Sequence, residues 1–458
     1  MPKLAGSLVR YPARVTTAWF AGGVLLGTLL LKSPWSGAKP EAPISWLDAM
    51  FTATSALCVT GLSVRSTVSD FTLFGQLVIL GLIQLGGIGI MTITTFVLTA
   101  LAGRTGLRQR AVVAETLGSN SNEDLRWVLY RIFFVTGLIE AIGATILFAR
   151  FIWDLPPVTA LYHAVFHSIS AFCNAGFALH DQSITPYQGD LAVNLTLSIL
   201  IMLGGIGFPV IIDVYRSFRT SGPKRWDHLH LHTRLTLLTT AVLVVGGAVA
   251  VAAMEWDGVL VGKPWMNQIL IPIFHSISCR TAGFNSIDLA EFSNATLFLS
   301  ILLMLIGAGA CSTAGGVKVS TVAILCAQAW RRFQGHSRVT VFRRTIPEHS
   351  VDRAMASLVI FMIIGAIALT LLCIADQSHA SHRNQSHDFL DAAFEVASAL
   401  GTVGLTTGYT TQLGTMGRLV IILLMFLGRV GPLSVFAAVS RDTKESPVQY
   451  ATQEPLVG

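Results

Sequence analysis

Ser55-Ala56-Leu57-Cys58-Val59-Thr60-Gly61-Leu62 is the stretch on which the reading of this chain turns, because it recurs. Ser170-Ala171-Phe172-Cys173-Asn174-Ala175-Gly176-Phe177 is a second copy. Ser278-Cys279-Arg280-Thr281-Ala282-Gly283-Phe284 is a third, one residue shorter, and Ser398-Ala399-Leu400-Gly401-Thr402-Val403-Gly404-Leu405 is a fourth. A phenylalanine stands four residues before each serine (Phe51, Phe166, Phe274, Phe394), and a large apolar residue follows each closing glycine. Copies spaced by roughly a hundred residues mark an internal repeat, and such repeats decide a fold.

The sequence around the copies is apolar. Of 458 residues, 52% are hydrophobic and 12% charged, against about 25% charged in soluble domains. Uncharged runs cover Val15–Leu31, Phe71–Gly103, Leu191–Ile212, Leu235–Met254, Phe292–Val317 and Ala354–Ala375; Ile132–Ala149 is interrupted only by Glu140, and Leu419–Ser440 only by Arg429. Each approaches or exceeds the ~20 residues that cross a bilayer. The chain therefore reads as an all-α integral membrane protein with eight spans. No small-residue cleavage site follows the basic Met1–Arg14 segment, so the first run reads as a permanent span. Cys58, Cys173, Cys279, Cys311, Cys326 and Cys373 lie in the motifs or spans without zinc-ligand spacing and read as buried thiols.

The net charge of +6 follows topology and does not indicate nucleic acid. Lys3, Arg10 and Arg14 precede span one. Arg104, Arg108, Arg110, Arg126 and Arg131 lie between spans two and three, and Arg216, Arg219, Lys224, Arg225 and Arg234 between four and five. Arg331, Arg332, Arg338, Arg343, Arg344 and Arg353 separate spans six and seven, and Arg441 and Lys444 follow span eight. The other linkers are poor in Lys and Arg and hold Asp154, Asp190, Glu255, Asp257, Glu291, Asp376 and Asp388, which places both termini in the cytoplasm. His228, His230 and His232 read as an exposed polar linker, not a metal site.

Each unit reads as a span, a short amphiphilic segment, the motif and a second span. The short segments are Ser45–Leu57, Val158–Phe172, Trp265–Ser278 and His387–Leu400. They are too short to cross a bilayer and predict re-entrant helices, the first opened by a capping box at Ser45-Trp46-Leu47-Asp48. Asp391 holds the position of Asp48 in the fourth unit. The units divide the chain at 1–103, 104–218, 219–334 and 335–458, the last including the tail Asp442–Gly458. This is the plan of four subunits of a cation channel in one chain, with pseudo-fourfold symmetry around one pore.

A carbonyl filter needs backbone conformations that glycine adopts freely, with small or apolar residues packed behind. Val59, Thr60, Gly61; Asn174, Ala175, Gly176; Thr281, Ala282, Gly283; and Thr402, Val403, Gly404 meet that need and are the candidate ion-binding residues, potassium being the ion. No carboxylate lies in the motifs, which argues against calcium selectivity. Arg280 is expected to point behind the third loop and brace it by hydrogen bonds.

A second recurrence follows: Leu85-Gly86-Gly87-Ile88-Gly89, Leu203-Gly204-Gly205-Ile206-Gly207, Leu305-Ile306-Gly307-Ala308-Gly309 and Leu427-Gly428-Arg429-Val430-Gly431. Small residues here suit helix packing. The third copy runs on into Ala310-Cys311-Ser312-Thr313-Ala314-Gly315-Gly316-Val317-Lys318, a run that should break its span near the middle. The candidate gate is Gly307, Gly309, Ser312, Thr313, Gly315, Gly316 and Lys318, with Arg429 holding the loop through freed carbonyls.

With these residues the chain resembles the Trk/Ktr/HKT superfamily of potassium transporters over nearly its whole length. The carrying features are the four filter motifs, the break Gly307–Val317, and Phe426-Leu427-Gly428-Arg429-Val430-Gly431-Pro432. Eight spans, and the ending Glu454–Gly458, look more like the Ktr-type membrane subunit. That resemblance implies potassium uptake in a bacterial inner membrane, with sodium as an activator in several members and no organic cofactor. It also implies a homodimer on a cytoplasmic nucleotide-binding regulatory subunit, an octameric ring. Plant relatives favouring sodium carry serine at the first filter glycine, so Gly61 points to potassium. The tail departs from the family pattern at Gln453-Glu454. A cation-coupled secondary transporter would predict matched buried acids in two halves, and only Glu140 lies deep in a span. An intramembrane enzyme would need a matched catalytic set, which His163, His167 and His275 do not form.

Overall fold

The structure, a computed structural model, describes residues 12–39, 41–102, 125–219, 225–336, 338–375 and 388–431. The basic N-terminus, most of the Arg104–Arg126 linker, Pro432 and the tail Asp442–Gly458 lie outside the described residues. In chain order the helices are α1 (Pro12–Leu31), α2 (Trp46–Leu57), α3 (Leu73–Ala102), α4 (Leu125–Phe151), α5 (Pro157–Phe172), α6 (Leu191–Ile206), α7 (Phe208–Arg219), α8 (Arg225–His228), α9 (Leu231–Met254), α10 (Trp265–Ser278), α11 (Asn294–Leu305), α12 (Val319–Phe333), α13 (Glu348–Ala375), α14 (Asp388–Gly401), α15 (Tyr409–Gln412) and α16 (Thr415–Val430). One short hairpin, β1 (Thr340–Val341) with β2 (Arg344–Thr345), joins α12 to α13.

Among the described residues, α1, α4, α9 and α13 are long and apolar enough to cross a membrane; the bent pair α6–α7 makes a fifth if counted as one span. Only 17–33% of their apolar windows is buried. A helix that is apolar all round yet mostly uncovered has lipid as its remaining solvent. The short helices α2, α5, α10 and α14 behave oppositely. Phe51, Phe166, Phe274 and Phe394 are fully buried, so each motif phenylalanine anchors its helix in the interior. Ser45 caps α2 by accepting the Asp48 N–H at 3.0 Å. The Asp48 carboxylate then receives Arg65 Nε at 3.0 Å and Arg418 Nη1 at 2.8 Å, tying the start of α2 to the start of α16.

The packing runs in a circuit. α3 packs on α5, α6 on α10, α11 on α14, and α16 returns to α2. Each inner helix thus covers the short helix of the next unit, and the last closes on the first.

One apolar run folds differently from its reading as a single span, and another breaks where its run of small residues predicts. Leu191–Ile212 is not one helix: α6 stops at Ile206 and α7 leaves at 100°. The corner is Gly207 (φ 98°, ψ 143°), followed by Phe208 and Pro209, with the backbone of Ala310 and Cys311 packed against it. Phe292–Val317 is helical only to Leu305. Of Leu419–Ser440, the part through Gly431 is described: α16 ends at Val430 and Gly431 takes φ 87°, ψ 130°. The histidine linker is also not simply exposed. His230 N–H donates to Asp213 Oδ2 at 3.0 Å, and His230 and His232 are half-buried.

Glu255, just past the end of α9, is the acceptor that ties that end to the start of α11. Thr296 Oγ1, Ser293 N–H (2.9 Å) and Ser293 Oγ (2.8 Å) donate to it. Burial pushes this carboxyl up, but these donors and Val259 N–H outweigh burial and hold it below the ordinary carboxylate range. A depressed folded value contributes stability above the unfolded pKa of about 4.3 and loses it as pH falls through the folded value. Glu255→Gln is therefore expected to lower the thermal midpoint at pH 7 by several degrees, with the gap to the parent closing below about pH 4. A pH-independent gap in melting curves would remove the ionised carboxylate from the account.

Candidate functional site

The four motif loops leave the short helices in the same way. Val59 (φ 56°), Asn174 (59°), Thr281 (69°) and Thr402 (51°) all take the left-handed conformation, as do Gly61 (100°), Gly176 (71°), Gly283 (75°) and Gly404 (93°) two residues later. The residue between does not. This alternation turns successive carbonyls to one side, whereas an ordinary strand points them alternately. Left-handed backbone costs about 1–2 kcal/mol per residue away from glycine, and Val59, Thr281 and Thr402 are β-branched. Backbone bonds hold the turn: Thr60 N–H to Ser55 O (2.8 Å), Ala175 N–H to Ser170 O (2.8 Å), Ala282 N–H to Ser278 O (3.0 Å) and Val403 N–H to Ser398 O (2.8 Å).

The glycines stand in a closed ring. A Cβ on Gly61 would lie 2.6 Å from Ala175 O and 3.0 Å from Gly176 Cα; one on Gly176 would lie 2.9 Å from Gly283 Cα. One on Gly283 would lie 3.3 Å from Gly404 Cα, and one on Gly404 would strike Thr60 O, 3.0 Å from Gly61 Cα. No side chain fits between these backbones. The C-terminal ends of α2, α5, α10 and α14 lead directly into the ring, and helix C-termini carry partial negative charge.

On the side reached after the glycines lies a mouth of about 610 Å³ lined by Gly61, Gly176, Gly283 and Gly404. Asp181, Asp288 and Glu291 face it against a single Lys263. His180 also lines it; burial holds this imidazole below its ordinary range, partly offset by Asp181.

On the other side lies the segment 306–318. Its base is closed by Gly307 N–H to Val317 O at 2.8 Å. From there it reaches the second and fourth units, and Arg429 links it to the first. Gly309 N–H donates to Gly205 O (2.8 Å), Thr313 N–H to Gly204 O (3.2 Å) and Thr313 Oγ1 to Phe172 O (3.2 Å). Gly315 lies against the Thr402 side chain, leaving no room for a Cβ. Arg429, buried, donates through Nη1 to Thr313 O and through Nη2 to Gly86 O at 2.8 Å. Ser312 Oγ donates to Gly309 O (2.7 Å), and Lys318 Nζ to Ala314 O (2.7 Å) at the start of α12. Arg280 lies behind its loop and donates to Gly307 O at 3.0 Å, so it joins the third motif to the base of this segment.

All twelve loop residues singled out from sequence thus stand together, and the eight residues around the break form one adjoining cluster. Sequence reasoning missed three features. The motif serine is the first: Ser55 and Ser398 Oγ accept the Gly61 and Gly404 N–H (3.1 and 3.0 Å), while Ser170 and Ser278 donate to Phe177 O and Phe284 O. Its recurrence was signal enough. The second is Glu395, fully buried on α14, which accepts from Thr406 Oγ1 (3.0 Å) and Thr410 Oγ1 behind the fourth loop. The third is the acidic mouth, whose Asp181 and Asp288 each stand five residues after a motif glycine. Glu140 accepts from Gln84 Nε2 at 2.9 Å and lies beside Cys173, backing the second motif.

The family described as TrkH, cation transport protein, matches residues 24–446. The chain is 36% identical over 449 residues to the Ktr system potassium uptake protein B of Bacillus subtilis (strain 168), covering 98% of this chain and 97% of that protein. It is 33% identical over 450 residues to the potassium/sodium uptake protein NtpJ of Enterococcus hirae, covering 98% and 97%. The fold is similar to the crystal structure of the potassium transporter TrkH from Vibrio parahaemolyticus, with a TM-score of 0.66 at 20% identity, covering 91% of this chain and 83% of that one.

Glu395→Ala removes the acceptor of both threonine hydroxyls; Thr410 Oγ1 can still donate to Thr406 Oγ1 (3.1 Å), which leaves one hydroxyl proton without an acceptor behind the fourth loop, at about 1–3 kcal/mol. The expected result is a thermal midpoint several degrees lower, with Glu395→Gln, which keeps an acceptor, recovering most of it. Equal losses for the two substitutions in a thermal-shift series would show that the hydroxyl contacts are not what Glu395 contributes.

Proposed function

The chain belongs to the TrkH family of cation transport proteins, and from that premise we propose that it is a potassium-selective, channel-like uptake subunit. The observation that carries this reading is the closed ring of four loops with alternating backbone handedness. Such loops present stacked carbonyl oxygens that replace the hydration shell of a monovalent cation. In this reading the packing circuit is pseudo-fourfold around one pore, the chain crosses the membrane eight times, and Val59–Gly61, Asn174–Gly176, Thr281–Gly283 and Thr402–Gly404 line the filter. The acidic mouth raises the local cation concentration at its entrance. Segment 306–318 is the gate. Its contacts with the second and fourth units, and the bridge Arg429 makes from it to the first, support a position across the path, and the Arg429 guanidinium adds a positive barrier.

The name of the Ktr relative supports potassium as the substrate; from the sequence resemblance come a bacterial inner membrane with both termini cytoplasmic, a homodimer, and a separate cytoplasmic nucleotide-binding ring as partner. The potassium/sodium relative links sodium to uptake by its name, and in this proposal sodium acts as an activator. The ring would act by moving α12, which continues from the gate segment. Expression with the regulatory subunit should restore growth of a potassium-uptake-deficient bacterium on low potassium; no rescue despite verified membrane insertion would overturn the reading.

Gly61→Ser places a side chain where the Ala175 carbonyl already stands. Discrimination of potassium over sodium should fall about tenfold, the factor for a loss of about 1.4 kcal/mol. Paired uptake measurements with the two ions test this, and an unchanged ratio would take Gly61 out of the filter.

Removing part of Gly309–Gly316, or Arg429→Ala, should raise uptake velocity severalfold with selectivity nearly intact. Flux through reconstituted, well-folded variants decides it. If the shortened segment conducts no faster than the parent, it is not the gate.

A further inference from the structure

Charge that the transport reading does not use is concentrated between α12 and α13. The hairpin there pairs Thr340 with Thr345 and Val341 with Arg344, and its two-residue turn is Phe342 (φ 49°) and Arg343 (φ 61°). Tight hairpins require left-handed backbone at both turn positions, which Asn-Gly normally supplies. Here two bulky residues hold it, and the surroundings keep them there. Arg331 donates through Nε and Nη2 to Thr340 O (3.2 and 3.0 Å), and Ile346 N–H donates to Val339 O (2.9 Å). Val339, Ile346 and Val351 form a small core of their own. The hairpin is a fixed wall.

That wall, the end of α12 and the start of α13 enclose a cleft of about 410 Å³. Its charged lining is Arg332, Arg338, Glu348 and Asp352. No ion pair joins these four among the described residues. The 28 residues of α13 make a helix of about 42 Å, longer than the ~30 Å hydrocarbon layer. Its charged residues, Glu348, Asp352 and Arg353, all precede the uncharged run Ala354–Ala375, which by itself is about 33 Å long, so the first turns stand at headgroup level. On the helix face of Asp352, Met355, Val359 and Met362 are 46%, 47% and 52% exposed, an apolar track leading from the cleft into the span. Trp330 and Phe333, stacked at 6.2 Å and 62% and 86% exposed, end α12 beside Arg331 and Arg332. Exposed aromatics beside arginines are the composition of a membrane interface.

We propose that this cleft binds the headgroup of a membrane glycerophospholipid. The phosphodiester sits between Arg332 and Arg338, whose planar guanidiniums suit phosphate oxygens. The donor end of the headgroup, an ethanolamine ammonium or glycerol hydroxyls, meets Glu348 and Asp352. An acyl chain follows Met355, Val359 and Met362. Choline has no N–H or O–H to offer the carboxylates, so phosphatidylcholine fits only half of the site. A lipid held there fastens α12, the helix that continues from segment 306–318, to α13.

The test is native mass spectrometry of the full-length, delipidated protein titrated with phosphatidylethanolamine, phosphatidylglycerol and phosphatidylcholine. One saturable intact lipid per protomer, at least tenfold tighter for ethanolamine or glycerol headgroups than for choline, is expected. Arg332→Ala with Arg338→Ala should lose that lipid, and the paired lysine substitutions should retain it. Equal affinity for choline lipid, or full retention by the double alanine variant, would overturn the proposal. Should the alanine variant aggregate, Glu348→Gln with Asp352→Asn decides. Loss of the preference over choline supports the site, and an unchanged preference refutes it.

Discussion

Four pieces of non-helical backbone meet in the middle of an apolar helical assembly, and every polar group they carry needs a partner there. An unmatched peptide group in hydrocarbon costs several kcal/mol. Several N–H groups of the loops are provided for: backbone serine carbonyls take one in each loop, and serine hydroxyls take the glycine N–H in the first and fourth. Carbonyl oxygens are left over, turned to one side by the alternating handedness. The strain at Val59, Thr281 and Thr402 is tolerated because hydrogen bonds worth about 0.5–1.5 kcal/mol each surround it. Buried phenylalanines hold the helices that deliver the loops. In the proposed reading, that surplus of acceptors, with the negative ends of four helices behind it, is what a dehydrated cation would complete.

The third unit breaks the pattern, and its departures fall together. Its motif is a residue short and contains Arg280; Ile306 stands where the other units have Gly86, Gly204 and Gly428; and the small-residue run follows. In the other three units that glycine lets the inner helix press against the last carbonyls of the short helix, at Leu57, Phe172 and Leu400. In the third, the inner helix ends instead at Leu305 and the chain turns inward. Arg280 caps the released Gly307 carbonyl, and Arg429 reaches across from the fourth unit to the Thr313 carbonyl. Two arginines thus supply donors where a broken helix exposes acceptors.

Much of the architecture was legible because period and length are local properties. Trp265–Ser278 is helical over the residues expected, since an amphiphilic segment too short to span has few alternatives. The twelve loop residues were legible because the motif recurs. The corner at Gly207 was not. Nothing in Leu191–Ile212 interrupts the apolar run, and glycine followed by phenylalanine and proline is tolerated in membrane helices. The bend belongs to a contact from elsewhere, with Phe208 N–H directed to Cys311 O at 3.4 Å. Glu395 was invisible for a related reason: a lone acid on an amphiphilic segment reads as solvated until Thr406 and Thr410 are seen folding back onto it.

The sequence by itself determined that this is a membrane protein of repeated units, where its backbone leaves the helix, and which residues stand in those loops. These follow from hydrophobic run lengths and from glycine recurring at one offset, both of which are readable along the chain. Tertiary structure alone decided that the four glycines close a ring, that segment 306–318 lies against the second and fourth units, and that Arg429 divides its guanidinium between Thr313 and Gly86. Those outcomes depend on backbones from distant units approaching within van der Waals distance. Periodicity sets which face each helix buries, but not which neighbour it meets there.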